Sequence, residues 1–310
     1  MLRSIAVDHG NYKIKTEHHI FTSGLSLSNT KPGFGETIEW EGIYYSLSEN
    51  RIRNKWDKTE DDQYFVLTLF AIAKELLHSG EYIPFLNSEI SLVVGLPPAH
   101  YGRLRDRFAN YFTGRNVIKF CYMDKNFSIT INEVSVYPQA YAAAVLHFEV
   151  IEKMPKAFVI DIGGYTVDYL VLRNGEPNID ETDSLDRGII TLYNKIVSSV
   201  SNEFGVKLKE ADIDVILESD TVSLLPEVIN YINNLTAEYI GGLLSELLEL
   251  GVDFRTGKPI FVGGGSMKLK NFITKAINSH NPTFIEDIKA NLKGYKMLFE
   301  VERESEHEES

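Results

Sequence analysis

The chain is almost without cysteine. Cys121, the single one in 310 residues, excludes an intramolecular disulfide framework and a cysteine-rich metal site, and it suits a reducing compartment. Basic residues are also short, with 31 Lys plus Arg against 44 Asp plus Glu and a formal charge of −13. That balance argues against a surface built to coat nucleic-acid phosphates. No stretch approaches the roughly 18 consecutive apolar residues of a membrane helix. Asp8, following Met1 to Val7, puts a carboxylate where a signal peptide would be apolar. A cytoplasmic protein without a membrane contact is expected. Histidines lack ligand spacing, since only His18 and His19 are adjacent.

What is present is an ordinary globular composition, 44% hydrophobic and 24% charged, over a length that suits about two domains. Ser4 to Val7 is a short apolar run that enters the polar turn Asp8-His9-Gly10-Asn11, as a buried strand would. A hairpin is expected over Ile38 to Tyr45, a helix from Gln63 to His78, a buried strand over Ile90 to Leu96 and a basic helix around Arg103 to Phe112. Strands over Val117 to Tyr122 and Phe127 to Val136 lead to Pro138, read as a helix start before the alanine-rich run Ala140 to Val145. Val159-Ile160-Asp161-Ile162-Gly163 then echoes Ala6-Val7-Asp8-His9-Gly10, followed by a strand over Thr166 to Arg173, so the chain reads as two related halves. The second half continues with a helix from Gly188 to Phe204, a hinge-like stretch Gly205 to Asp214, and a long helix from Val228 to Leu250 closed by Gly251. Pro259 to Val262 is a strand entering the glycine-rich turn Gly263-Gly264-Gly265-Ser266, with a helix through Lys270 to Asn278. From Glu300 six glutamates face one arginine, Arg303, in a segment read as solvated and mobile.

An Asp at a strand end before glycine is common in plain turns. Three glycine-bearing strand ends, two of them with Asp, point further. Glycine lets a backbone bring successive N–H groups close to phosphate oxygens, and a carboxylate beside them suits hydrated Mg²⁺. No turn matches G-x-x-x-x-G-K-[ST], and none supplies G-x-G-x-x-G opening a helix, which sets aside a P-loop and a dinucleotide site. Two strand-to-strand turns, Asp8 to Lys15 and Asp161 to Asp168, would instead grip a triphosphate from either side.

In these motifs the chain resembles the actin and sugar-kinase superfamily, and within it the bacterial actin-like plasmid-segregation proteins of the ParM type. Asp8-His9-Gly10-Asn11-Tyr12-Lys13-Ile14-Lys15 resembles the first phosphate loop and Asp161-Ile162-Gly163-Gly164-Tyr165-Thr166-Val167-Asp168 the second. Val136 to Ala140 and Asp186-Arg187-Gly188 resemble the two connecting elements, and Val262 to Ser266 the adenosine motif. The resemblance implies an α/β chain of two related ribonuclease-H-like domains, with mixed five-stranded sheets flanked by helices and the nucleotide in the cleft between them. The domains would be residues 1–154 with a C-terminal helix at about 283–299, residues 155–282, and an acidic disordered tail at 300–310.

The resemblance also implies roles. Asp8 and Asp161 would hold the Mg²⁺ of Mg-ATP, mostly through its waters. Gly10, Asn11, Tyr12 and Lys15 would contact the phosphates from one side, and Gly163, Gly164, Tyr165 and Thr166 from the other. Gln139 would orient the attacking water by hydrogen bonds, since an amide takes no proton at neutral pH. Asp168 would polarise that water or stabilise its loop, and Gly188 would let a helix N-terminus approach the nucleotide. Gly264, Gly265 and Ser266 would pass under the adenosine, with Lys268 near the base or ribose. The function so implied is a filament-forming ATPase, assembling head to tail with Mg-ATP, or with GTP, and disassembling after hydrolysis. It would move plasmid DNA through a DNA-binding adaptor at filament ends. Two alternatives stay open: a small-molecule kinase of the same superfamily, which would need a carboxylate base where Gln139 stands, and a non-polymerising nucleotide-sensing scaffold.

Overall fold

The computed structural model describes residues 3–308 apart from 54, 85 and 219–223. The chain divides into two compact units, residues 1–146 with 289–310 and residues 147–288.

Unit 1 runs through β1 (Arg3–His9), β2 (Lys13–Lys15), β3 (Ile20–Thr22), β4 (Leu25–Ser28), β5 (Thr37–Trp40) and β6 (Ile43–Leu47). Helix α1 (Gln63–His78), β7 (Asn87–Leu96), α2 (Pro98–Thr113), β8 (Ile118–Tyr122), β9 (Lys125–Pro138) and the short α3 (Tyr141–Val145) follow. The strands form one mixed sheet in the order β3-β2-β1-β7-β9-β8-β5-β6-β4. Among the described residues that is nine strands where five were expected, because β5, β6 and β4 extend the sheet past β8 and β3 adds an edge beyond β2. Parallel pairing of β1 with β7 and of β7 with β9 makes this centre a doubly covered sheet, which explains its near-continuous apolar runs. Ile5, Val7, Leu92 and Val94 pack into a core with Phe65, Phe108 and Phe112, while Ala6 and Val93 join a separate cluster with Tyr137, Ala142, Leu292 and Tyr295. Pro138 ends β9 rather than opening a helix. α3 begins only at Tyr141, after a sharp turn at Ala140.

Alternation along β1 decides where its polar end points. His9 falls on the Val7 side and enters the aromatic core, stacked on Phe112 with ring centroids 5.6 Å apart. The Thr68 hydroxyl donates to the Tyr64 carbonyl and so accepts from His9 Nε2–H at 2.7 Å. Burial, helped by the Lys58 charge, pushes the imidazole well below its ordinary pKa of 6.5.

Unit 2 opens with α4 (Phe148–Ile151), then β10 (Ala157–Ile162), β11 (Val167–Arg173), β12 (Glu176–Leu185), α5 (Ile189–Phe204), α6 (Glu210–Glu218) and α7 (Pro226–Glu249). It closes with β13 (Lys258–Val262), α8 (Gly263–Lys268), α9 (Lys270–Ile277) and β14 (Thr283–Phe284). Its five strands are ordered β12-β11-β10-β13-β14. The unit begins before the expected residue 155 because Phe148 and Glu152 lie against Gly175 in the β11–β12 turn. The polar stretch after Gly205 is hinge-like only as far as Lys209 and is helical from Glu210, where acidic residues in the first turn suit the helix dipole. The glycine run is likewise the first turn of a helix rather than an open loop.

The last helix, α10 (Ala290–Glu308), belongs to unit 1. The segment read as a disordered acidic tail is therefore the end of this helix through Glu308. Tyr137 Oη donates to Glu302 at 2.6 Å, which gives one of those glutamates a structural partner. Two glycines let α10 lie close: a Cβ on Gly294 would meet the Ala142 carbonyl at 1.8 Å, and one on Gly95 would meet the Tyr295 ring. Among the described residues no helix is long and apolar enough to cross a membrane.

Gly294→Ala is expected to cost about 2–4 kcal/mol, because backbone blocks the added methyl. Gly102, exposed inside α2 with nothing within 4 Å of its would-be Cβ, gives the opposite sign, with Gly102→Ala gaining about 0.5–1 kcal/mol. Urea unfolding of the two variants checks both. A pH effect follows from His9. The native imidazole stays neutral while the unfolded one takes a proton below its ordinary pKa, so stability falls as pH drops through 6.5. His9→Phe should flatten that part of the urea-midpoint profile between pH 7.5 and 5.5.

Candidate functional site

In unit 1 the site grows from the β1–β2 hairpin, whose register sets Asp8 opposite Lys15 and His9 opposite Ile14. Asp8 is 2% exposed and its two carboxylate oxygens are engaged separately. Lys15 Nζ donates to Oδ2 at 3.0 Å and Gln139 Nε2 donates to Oδ1 at 3.1 Å. The amide's orientation follows, since a carboxylate only accepts. The turn needs Gly10, where a Cβ would stand 2.5 Å from the Lys13 carbonyl. Asn11 Oδ1 accepts from Tyr64 Oη at 2.9 Å, and Tyr12 lies under the Arg51 guanidinium at 5.4 Å.

The turn's carbonyls are held from behind. Lys58 Nζ donates to the His9 carbonyl and Ser23 Oγ to that of Gly10. In a trans peptide the C=O and the following N–H point in opposite directions, and among the described residues no cis peptide occurs. The N–H groups of Gly10 and Asn11 therefore point away from these anchors.

Unit 2 repeats the device more fully. Asp161 and Asp168 face each other in register across the β10–β11 hairpin, and both are buried. Gly163 N–H closes the turn on the Thr166 carbonyl at 2.9 Å. The first amides of α5 then take three successive loop carbonyls: Ile189 N to Gly163 O at 3.0 Å, Ile190 N to Gly164 O at 2.9 Å, and Gly188 N to Tyr165 O at 2.7 Å. By the same peptide geometry the N–H groups of Gly164, Tyr165 and Thr166 turn away from α5, forming a concavity suited to an anion. Gly188 is required by this packing, as its Cβ would lie 2.3 Å from the Gly164 carbonyl. The amides at the α5 N-terminus thus hold the loop by its carbonyls.

The glycine run divides in function. Gly263, at φ +87°, clears Asp161 Oδ1, which a Cβ would meet at 2.0 Å, and Gly265 clears Ile162. Gly264 alone of the three has nothing within 4 Å of its would-be Cβ. Ser266 is fully buried. Lys268 is drawn to α6, with Nζ at 2.7 Å from both Asp214 Oδ1 and Glu218 Oε1. Desolvation opposes its charge, yet these two carboxylates hold the ammonium pKa above its usual value.

Three partners escaped the sequence reading. Ser184 Oγ donates to Asp168 Oδ1, Lys58 anchors the first turn, and Asn291 of α10 accepts the Ala140 N–H at 2.9 Å. Lys58 and Asn291 lie 49 and 151 residues from the atoms they hold, Ser184 sits on the strand that follows β11, and none of the three carries a motif. Among the described residues no three His, Cys, Asp or Glu gather into a protein-only metal cage. Opposed buried carboxylates beside outward amides fit a different donor set, a hydrated Mg²⁺ bound through one or two carboxylates and phosphate oxygens. Asp8 fits it less directly, since Lys15 already neutralises it.

Residues 34–141 match the family described as actin-like proteins, N-terminal domain, and residues 159–275 match the archaeal actin homologue MreB-like C-terminal domain. No curated protein matches by sequence. Among solved structures, the archaeal actin homologue Ta0583 in complex with ADP superposes with a TM-score of 0.74 at 17% identity, over 96% of this chain and 99% of that one. The 15-stranded ParM filament from Clostridium botulinum superposes with a TM-score of 0.73 at 20% identity, over 95% and 98%. An Alp12 filament does so with a TM-score of 0.65 at 16% identity, over 96% and 98%. Two actin-like domain families are thus matched in order along one chain, which shares the fold of the archaeal actin homologue over nearly its whole length.

Proposed function

We propose that this protein binds ATP with Mg²⁺ through its two anchored turns, hydrolyses it slowly, and assembles with its own copies into filaments. The observation that carries the reading is the pair of turns whose carbonyls are pinned behind them, each beside a buried acidic strand end. Five N–H groups thereby become available to phosphate oxygens without reorganisation, which is the electrostatic part of phosphoryl chemistry. Lys15 is poised to shift from Asp8 toward a phosphate. Asp161 would take part in holding Mg²⁺, whose charge relieves the repulsion with Asp168. Ser184 and Thr166 on Asp168 favour the loop-stabilising role for that carboxylate.

Gln139 donates its amide to Asp8, which leaves its carbonyl oxygen to accept from a water. It orients that water without removing a proton, so turnover is slow. The same feature disfavours the kinase alternative, which needs a base facing an acceptor hydroxyl. Gly264 is the member of the glycine run left for close approach of adenosine, with GTP as the alternative nucleotide. Lys268, occupied by α6, is withdrawn from that role.

Assembly rests on the fold shared with the ParM and Alp12 filaments. Head-to-tail contact between copies gives an open polymer when its rotation does not close. Movement of plasmid DNA through a DNA-binding adaptor at filament ends, in the cytoplasm, is the finest part of the proposal, and a charge of −13 favours indirect contact with DNA.

Light scattering and electron microscopy at micromolar protein test assembly. Filaments should grow with Mg²⁺ and ATP, persist with a slowly hydrolysed analogue and decay as ATP is consumed. Absence of filaments with every nucleotide, together with turnover only when a small acceptor is added, would transfer the reading to a kinase. Gln139→Ala should lower single-turnover hydrolysis by about tenfold to a hundredfold while nucleotide affinity is kept. Asp161→Ala should abolish Mg²⁺-dependent binding, and retained hydrolysis would overturn the metal role.

A further inference from the structure

We infer that Asn291 of α10 is a positioning residue for Gln139, holding a strained turn at Ala140 that aims the glutamine amide at Asp8. The inference rests on the water-orienting role proposed for Gln139.

Ala140 has φ 60° and ψ −52°, and Tyr141 N donates back to the Gln139 carbonyl at 2.6 Å. That combination is the rare positive-φ γ-turn, a conformation that an alanine adopts only against its Cβ. Such a backbone persists only where its surroundings over-determine it. The Gln139 N–H is tied to the Leu96 carbonyl at 2.8 Å, at the end of the neighbouring strand. The Ala140 N–H is tied to Asn291 Oδ1 at 2.9 Å, and both residues are buried, so water does not replace the side chain. α10 also grips the segment on either side, through Glu302 on Tyr137 and the bare Gly294 against Ala142.

Removing the Asn291 oxygen leaves a buried N–H without an acceptor in a turn that is already disfavoured. The backbone then relaxes toward negative φ, and the side chain of Gln139, one residue earlier, loses its direction toward Asp8. A misplacement of about 1 Å is enough to slow an oriented reaction severely.

The experiment compares Asn291→Ala, Asn291→Asp, Gln139→Ala and Ala140→Gly in the full chain, by single-turnover ATP hydrolysis, nucleotide affinity and amide hydrogen exchange of the peptide spanning 139–142. Asn291→Ala should slow hydrolysis about tenfold or more with affinity unchanged, and raise exchange at 139–142. Asn291→Asp keeps an acceptor and should stay within about threefold of the parent. The decisive variant is Ala140→Gly combined with Asn291→Ala. Glycine takes positive φ freely, so the double variant should recover most of the lost rate, which general loss of stability would not allow. Parent-like hydrolysis and exchange in Asn291→Ala, or a slow double variant, overturns the inference. Parent-like hydrolysis in Gln139→Ala overturns the proposed role of Gln139 instead. In that case exchange alone judges the tie, and unchanged exchange in Asn291→Ala removes it too.

Discussion

A carboxylate at the end of a strand buried on both faces must find its partners within the protein, because water does not reach it. Asp8 meets this constraint with two donors from different elements, Lys15 across the hairpin and Gln139 at the end of β9. Strand alternation sends His9 the other way, into the aromatic core, where it anchors the same turn from behind. Asp8 thereby ties the β1–β2 turn to the end of β9, while Lys58 and Ser23 on the turn's carbonyls set the direction of its amides.

The second hairpin solves a harder version of the problem. Asp161 and Asp168 stand opposite each other, an arrangement that costs stability unless hydrogen bonds or a cation offset it. Ser184 and Thr166 supply part of that offset through Asp168, while Gly263 opens the space Asp161 occupies. The α5 amides fix the loop by its carbonyls, so the end of a helix sets the shape of the hairpin's backbone. Stability and chemistry therefore compete at the same residues, as is common where like charges are held together.

Glycine does much of the close packing, and not always for the reason its motif suggests. Gly188, Gly263 and Gly265 clear neighbouring backbone or side chains, and of these motif glycines Gly264 is the one that faces free space. A glycine-rich pattern in sequence reports that something approaches the backbone; it does not say whether that is a ligand or another strand.

The sequence by itself determined the two-unit α/β order, the helix over Gln63 to His78, the buried strands and both acidic hairpins, because local periodicity and turn chemistry act over a few residues. It misjudged Pro138, the stretch after Gly205 and the acidic end, where tertiary contacts override local preference: Tyr137 on Glu302 and the seating of Gly294 on Ala142 hold α10 in place. It was silent on Ser184, Lys58 and Asn291, and on the pairing of Lys268 with Asp214 and Glu218. Most of those pairings join residues distant in the chain, and only folding brings donor and acceptor within 3 Å.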